Sequence, residues 1–485
     1  MPTPEISWIA ILPELVLALG AAGVLLVEVQ WKPRTNALGA VAGVALALAA
    51  AFSIAQWVQA GDAVRLGTPG NLVVFSGLVV MDGLAVFGRF ALLAVTGFGL
   101  LAGWRYIEGL GRRGAETMAL VLLATAGFSI MVAANNLVMM FLGLEVGSIA
   151  LYVLAGMSRE RARSDEAAIK YFLLGSFASA LFIYGVALLY AGTGEFEILA
   201  MRLFLSEFVV FSPAVILIGL GLVIVGLGFK VSAAPFHSWA PDVYQGAPAG
   251  LVGYMAAVAK IAGFVAIARI LLTGLGALDA NWLPIVAGIA ALSMLVGSIL
   301  ALVQGDVRRM LAYSGVAHAG FIMTGVVGGS TEGVLFYLVV YALQLVGSFA
   351  VVAAVSGAAN SESDLGAYRG LGLRSPLLAG SFTVLLLGMA GLPVTSGFIA
   401  KFGVFTEAWS SGFEWLVVVA VIASVIAFAF YLRIIVAMYM DEGDGEGVEV
   451  PAPIGWVLAA AVGTTIVWGI LPGSLLRLAA DALPL

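Results

Sequence analysis

The sequence predicts an all-α polytopic membrane protein. Fourteen transmembrane helices are expected, with two inverted five-helix repeats and broken helices in the seventh and twelfth spans (TM7 and TM12). Three observations predict this. Of 485 residues, 62% are hydrophobic and 10% charged, against about 25% charged in an ordinary globular protein, so lipid must solvate much of the surface. The apolar residues fall into segments of about 20, the length that crosses a hydrocarbon core. The charged residues inside those segments recur in two blocks of similar length.

Taken in order, the spans are expected at about 8–28, 37–59, 78–104, 115–133, 135–157, 167–192, 211–236, 247–273, 281–302, 309–328, 332–357, 376–408, 414–440 and 453–475. Abundant Gly and Ala allow close helix–helix approach in lipid. The opening MPTPEIS has no basic region, and the apolar run after it is too long for a signal-peptide core, so a retained first span is expected. With the N-terminus outside, cytoplasmic loops and span ends hold 13 basic residues. The other side holds 4, namely Arg65, Arg202, Arg269 and Arg477. This positive-inside bias predicts that both termini are periplasmic.

Five basic residues remain inside spans: Arg89, Lys170, Lys230, Lys260 and Lys401. Four of the five lysines are thus intramembrane, but only one of seventeen arginines. Arginine keeps its charge in any protein site, whereas a buried lysine loses its proton readily. The pattern places titratable cations in the membrane and permanent ones in the loops.

Residues 1–110 hold the first three spans, 115–273 and 281–440 one repeat each, and 453–475 the last span. Five spans is an odd number, so the second block starts from the opposite side and the repeats are inverted, a common transporter plan. In GLGFKVSAAPFHSWAPDVYQGAP, the fourth span of the first block carries Lys230 and Pro235. Its counterpart, GMAGLPVTSGFIAKFGVF, carries Pro393 and Lys401. Proline removes an amide hydrogen and clashes with the preceding turn, so each helix is expected to open there and expose backbone carbonyls to a cavity.

An ionisable residue inside a span is a functional candidate by default. Glu145 in MMFLGLEVGSIALY reads either as the partner of a lysine, with Lys230 the natural choice, or as a structural acceptor for a serine or amide. Lys260 lies mid-span, too deep to snorkel, and reads as a relay. Lys401 follows Pro393 by eight residues and reads as the output-side site. His318 in SGVAHAGFIMTG reads as a relay or as a hydrogen-bonded core residue, and His237 lies past the first break near a membrane surface. Lys170 stands four residues after Glu166, a helical pair spacing that also suits a snorkelling lysine. The acidic run DEGDGEG (441–447) reads as a solvated loop.

Several functions are excluded. With no cysteine there is no disulfide, thiolate zinc site, cysteine-ligated cluster or cysteine nucleophile. Two histidines do not make a multi-histidine metal or haem site. No phosphate-cradling glycine motif stands between a strand and a helix, so neither ATP nor NAD is expected here, and no basic face suits nucleic acid.

The stretches FLGLEVGSIALYVLAG, EAAIKYFLLGSFASALFIYGVALLYAGTG, GLGFKVSAAPFHSWAPDVYQGAPA, RRMLAYSGVAHAGF and GLPVTSGFIAKF resemble the antiporter-like subunits of bacterial respiratory complex I, the proton-pumping NADH:quinone oxidoreductase, and within them subunit N. The resemblance implies fourteen helices with two inverted repeats. It implies Glu145 and Lys230 as paired residues, Lys260 and His318 as a central relay, Lys401 as the far-side lysine, and Lys170 as a family lysine. A glutamate at position 401 would suggest the sister subunit M, and a long C-terminal extension subunit L. The resemblance further implies a subunit of a translocase with no redox site or cofactor of its own. FMN, iron–sulfur clusters and quinone would belong to partner subunits, other membrane subunits would be its neighbours, and the bacterial inner membrane its location. A subunit of a multisubunit cation/proton antiporter would share these charges. A stand-alone solute transporter and an inert assembly scaffold are the other classes weighed.

Overall fold

The structure is a computed structural model and describes residues 7–68, 72–158, 162–207, 213–357, 363–443 and 446–482. Its helices are α1 (Leu12–Trp31), α2 (Thr35–Arg65), α3 (Gly83–Ala102), α4 (Trp104–Gly109), α5 (Arg113–Ala133), α6 (Leu137–Ala155), α7 (Ala162–Thr193), α8 (Ile198–Glu207), α9 (Ala214–Lys230) and α10 (Trp239–Gly246). There follow α11 (Ala249–Ile267), α12 (Asp279–Leu302), α13 (Val307–Val327), α14 (Thr331–Ser356), α15 (Leu371–Arg374), α16 (Pro376–Ala390), α17 (Ser396–Ser410), α18 (Glu414–Tyr439), α19 (Ala452–Ile470) and α20 (Gly473–Ala480). A short hairpin, β1 (Val73–Val74) and β2 (Val79–Val80), pairs Val73 with Val80 and Val74 with Val79.

Among the described residues, twelve helices are long and apolar enough to cross a bilayer, or thirteen if a bent pair is counted as one span. The two expected spans missing from the twelve are the two expected to be broken. The seventh is α9, with only 17 residues, followed by a separate α10. The twelfth is two helices of 15 residues, α16 and α17. The bent pair adds Leu365–Arg374 to α16 at 120°.

The breaks do not begin at the prolines. The first helix stops at Lys230, five residues before Pro235, and the second at Ala390, three before Pro393. A proline disfavours helical backbone in the residue before it, and here the unwinding extends upstream of that. Each connector also holds a non-glycine residue in the left-handed region, Ser232 (φ 60°) and Val394 (φ 75°). For a β-branched valine this is strained backbone.

The freed backbone groups of the first break are taken up locally. The Phe229 carbonyl accepts from Trp239 Nε1 at 3.1 Å, and the Ala234 amide donates to Ser293 Oγ on α12 at 2.8 Å. Unpaired groups in hydrocarbon cost several kcal/mol each, so this satisfaction is a condition of breaking the helix at all.

The centre of the molecule is formed by α11, α13 and α14, whose residues are nearly all buried, with α2, α7, α18 and α19 presenting large apolar residues outward. Glycine permits the tightest crossings. At Gly127 an added Cβ would collide with the backbone of Gly147, locking α5 to α6.

The arginines depart from the expected separation of charges. Arg269, expected at the outer end of the eighth span, lies in a π-helical turn (Ala268–Gly274) that continues α11, and is 2% exposed. It makes a bidentate pair with Asp82 at 2.7 and 2.8 Å, and Asp82 also caps α3. Arg308, expected at a cytoplasmic span end, is buried and donates to the Gln245 carbonyl and Ser356 Oγ. Arg89, as expected, is inside α3, bound to Glu14, Gln56 and the Ala10 carbonyl. Planar guanidinium can be buried where several acceptors surround it, so permanent cations too occupy the interior.

Candidate functional site

Lys230 is the last residue of α9 and is 3% exposed. Its Nζ donates to Ser148 Oγ on α6 at 2.7 Å and lies 4.8 Å above the Phe128 ring. Ser148 in turn donates to the Leu144 carbonyl at 2.5 Å. Glu145, one turn before Ser148, is half-buried and accepts from Ser179 on α7. Glu145 thus meets a serine, as its structural reading expects, and Ser148 is the polar group beside the Lys230 amine. Residues three apart share a helix face, which puts Glu145 and Ser148 on the side of α6 facing this amine.

Lys260, on α11 and 2% exposed, donates to the Val231 carbonyl at 2.6 Å. Val231 is the first residue after α9 ends, so the break supplies this acceptor. Lys401, on α17 and 5% exposed, repeats the arrangement. Its Nζ donates to the Ala390 carbonyl, at the end of α16, at 2.9 Å. It also donates to Ser424 Oγ on α18 at 3.2 Å and sits 4.3 Å over Phe321. Gly391, at φ +86°, leaves the space beside the break through which the Lys401 stem passes.

His318, on α13, is 3% exposed and enclosed by tyrosines. Its Nδ1 is 3.0 Å from Tyr337 Oη, its Nε2 3.2 Å from Tyr431 Oη, and its ring stacks on Tyr341 at 4.2 Å. Tyr431 Oη also bonds Ser314 Oγ at 2.5 Å.

Lys230, Lys260, His318 and Lys401 are therefore four buried titratable groups on α9, α11, α13 and α17. Here α9 packs on α11 and α13 on α17, with α14 contacting α11, α13 and α17. Two of the expected residues stand apart. Lys170 has a side chain 41% exposed and pairs with Glu166 and Asp242, each at 2.6 Å. Asp242 also accepts from Arg309 at 2.6 Å, so Lys170 belongs to an ion cluster tying α7, α10 and α13 together. His237 lies in the first connector, half-buried, with Tyr313 6.2 Å away and its Nδ1 without a partner. Pro235 and Pro393 are both exposed in their connectors. The residues the sequence reading missed are Ser148, Ser424 and the three tyrosines. The spacing Glu145–Ser148 and the four-residue interval Tyr337–Tyr341 were the available signals. The described residues include no group of three or more His, Asp or Glu placed to hold a metal ion. Of the acidic run, residues 444 and 445 lie outside the described residues.

Comparison with known proteins gives this arrangement a context. Residues 134–427 match the family described as NADH:quinone oxidoreductase/Mrp antiporter, TM. The chain is 37% identical over 480 residues to NADH-quinone oxidoreductase subunit N of Trichlorobacter lovleyi, covering 98% of this chain and 96% of that protein. It is 40% identical to the subunit N of Acidothermus cellulolyticus, covering 100% and 97%. A chain of respiratory complex I from Thermus thermophilus, solved with bound aureothin, superposes with a TM-score of 0.78 at 31% identity, covering 96% of this chain and 98% of that one. A chain of the Mrp complex from Dietzia sp. has a TM-score of 0.81 at 22% identity and shares the fold. Its likeness to subunit N proteins along nearly the whole length sets the Mrp reading second. The chain belongs to the NADH:quinone oxidoreductase/Mrp antiporter transmembrane family, among the subunit N proteins of NADH-quinone oxidoreductase.

Proposed function

We propose that this chain is the antiporter-like, proton-translocating subunit N of a bacterial inner-membrane NADH:quinone oxidoreductase. It has fourteen spans, counting α9 with α10 and α16 with α17 as one broken span each, arranged as inverted repeats at 115–273 and 281–440 with both termini periplasmic. NADH oxidation and quinone reduction, with FMN and iron–sulfur clusters, take place in partner subunits. Other membrane subunits dock beside this one and drive it.

The observation that carries the reading is the series of buried amines ended by carbonyls from broken helices, Lys260 on Val231 and Lys401 on Ala390. An amine held on a neutral carbonyl has no permanent counter-ion, so its protonation responds to charge arriving nearby. In this reading, a change that brings Glu145 closer to Lys230 or withdraws it loads or unloads Lys230. The proton then passes to Lys260, by way of His318 and water to Lys401, and out. Lys170 and His237 serve uptake at the cytoplasmic edge. Moving one charge against ~100 mV costs about 2.3 kcal/mol. A hundredfold change in the proton affinity of one amine supplies about 2.7 kcal/mol, so one switch suffices at that voltage.

The test is proton pumping by inverted membrane vesicles carrying the assembled complex with Lys260→Ala or Lys401→Ala. Loss of NADH-driven pumping with the chain retained in the complex is expected, and normal pumping overturns the relay. Mass spectrometry of the complex purified through this chain separates the second reading: flavin and iron–sulfur partners are expected, and their absence would indicate a cation/proton antiporter.

A further inference from the structure

Away from the buried amines, α2, α3, α14, α19 and α20 enclose a space of about 430 Å³. Its walls are apolar and aromatic, with Ile54 and Trp57 of α2, Phe90 and Phe98 of α3, Trp468 of α19 and Leu478 of α20 among them. A second space, of about 290 Å³, adjoins the first at Trp57, which lines both. This second one is polar: Arg65 at the end of α2, Asp82 at the start of α3 and Asp481 just past α20 all face it. Trp57, meeting Phe90 edge-on with ring centroids 6.4 Å apart, stands where the apolar part gives way to the polar part.

The combined length matches one leaflet. From Asp82, at the polar end, to Phe98, at the apolar end, α3 rises about 24 Å. Half of a bilayer with its headgroups is about 20–22 Å. The junction is open as well: a Cβ added at Gly61, which lines the polar part, would meet nothing within 4 Å. A transmembrane helix is about 10–12 Å across with its side chains, too wide for so small a space, whereas an extended acyl chain fits along it. A space left empty here would cost the lining side chains their dispersion contacts.

The charges at the polar end select the headgroup. Asp82 is already paired with Arg269 at 2.7 Å. Arg65 has a side chain 83% exposed and a 3.9 Å bridge to Asp62, itself 60% exposed, and a pair of that kind contributes little. Asp481 is exposed. The space therefore offers one guanidinium to a phosphate and one carboxylate to an ammonium. We infer that this groove holds a single phospholipid with an amine headgroup, of the phosphatidylethanolamine kind. Its phosphate lies on Arg65, its ammonium on Asp481, and one acyl chain lies between α2 and α3 along Trp57, Phe90 and Phe98. Chain contact alone gives little preference, because bulk lipid is as apolar as these walls, so the two headgroup contacts set the selectivity. An anionic headgroup without an amine would set its charge against Asp481. A second phosphate would find no second cation among the described lining residues. With the orientation proposed above, this lipid belongs to the periplasmic leaflet.

The test uses the detergent-purified complex and a phosphatidylethanolamine carrying a photoactivatable diazirine in its acyl chain, with the matching phosphatidylglycerol beside it. Mass spectrometry locates the labelled peptides. The amine lipid is expected to label α3 between Phe87 and Phe98 and α19 around Trp468, about tenfold or more above phosphatidylglycerol, the worth of one hydrogen bond to a charged group. Asp481→Asn is expected to erase that preference, and Arg65→Gln to lower labelling by both lipids. Gly61→Phe puts a ring into the open junction and is expected to abolish labelling, while Gly61→Ala, whose methyl group enters empty space, retains it and serves as the folding control. Equal labelling of the parent complex by the two lipids overturns the headgroup assignment. Labelling that survives Gly61→Phe overturns the site. Absence of label from α3 and α19 with either lipid, as when a partner subunit covers the groove, overturns it too. No readout here is proton pumping, so the result stands or falls apart from the relay.

Discussion

Lys260 reaches the carbonyl of Val231, 2.6 Å away, at the residue where α9 has just ended. Amine and helix break thus form one unit, and the amine's place is set by a backbone acceptor left open because the residue four further on, Pro235, has no N–H. Lysine suits this position because it can give up its charge, whereas arginine cannot. Lys260→Arg is therefore expected to keep the cation, the bond to Val231 and assembly, yet to lower NADH-driven pumping by about a hundredfold, the usual worth of one positioned proton carrier. Vesicle acidification measured on the purified, reconstituted complex checks this, and a rate near that of the unaltered complex would falsify it.

Ser148 receives the Lys230 amine at 2.7 Å on the helix face that carries Glu145. Removing its hydroxyl leaves a buried ammonium short of an acceptor, and a hydrogen bond to a charged group is worth about 1.5–3 kcal/mol. Ser148→Ala is expected to slow pumping by about tenfold or more, while Ser148→Thr, which retains the hydroxyl, stays close to the parent. Equal rates for Ala and Thr would remove Ser148 from the switch.

These two cases also show what the sequence could and could not reveal. Lys230, Lys260, His318 and Lys401 were legible because an ionisable residue amid apolar neighbours has few reasons to be there. Both breaks were legible from Pro235 and Pro393, though they begin five and three residues before the prolines, since helix ends depend on which freed groups find partners. Ser148, Tyr341 and Tyr431 were not singled out. Serine and tyrosine are ordinary inside spans, and what distinguishes these is the reach of Lys230 from α9 to α6 and the packing of α14 and α18 around α13. The burial of Arg269 was not legible for a related reason. Near the end of an apolar run, hydropathy cannot tell a loop from a π-helical turn whose charge is met by Asp82, 187 residues away in the chain.

That ion pair yields a stability prediction. Arg269 and Asp82 are 3% and 1% exposed in their side chains, and Asp82 also accepts from the Ala85 amide. Removing one partner of such a pair leaves an uncompensated buried charge and costs about 3–5 kcal/mol, whereas replacing both with apolar groups is often near neutral. Arg269→Met alone is expected to lower the thermal unfolding midpoint in detergent clearly, and Arg269→Met with Asp82→Leu to recover much of the loss. If the double variant is no more stable than Arg269→Met, the pair is not acting as one unit.

Outside the membrane-spanning helices, Glu197 gives a prediction in pH. Its backbone bridges Asn136 before α6, and its carboxylate packs against Gly77 in the turn of the β1–β2 hairpin, where φ is +86°. Burial, and then the neighbouring charge of Glu195, raise its pKa above the ordinary 4.5. The folded chain therefore holds this proton more firmly than the unfolded chain does. The stabilisation is fully present below pH 4.5 and is lost as pH rises through the raised folded value. Glu197→Gln keeps the shape and removes the charge. It is expected to raise the unfolding midpoint at pH 7–8 and to flatten its fall with pH just above the ordinary carboxylate range. Thermal unfolding of the two proteins across that range checks this, and parallel curves would show that the contact with the hairpin is indifferent to the proton.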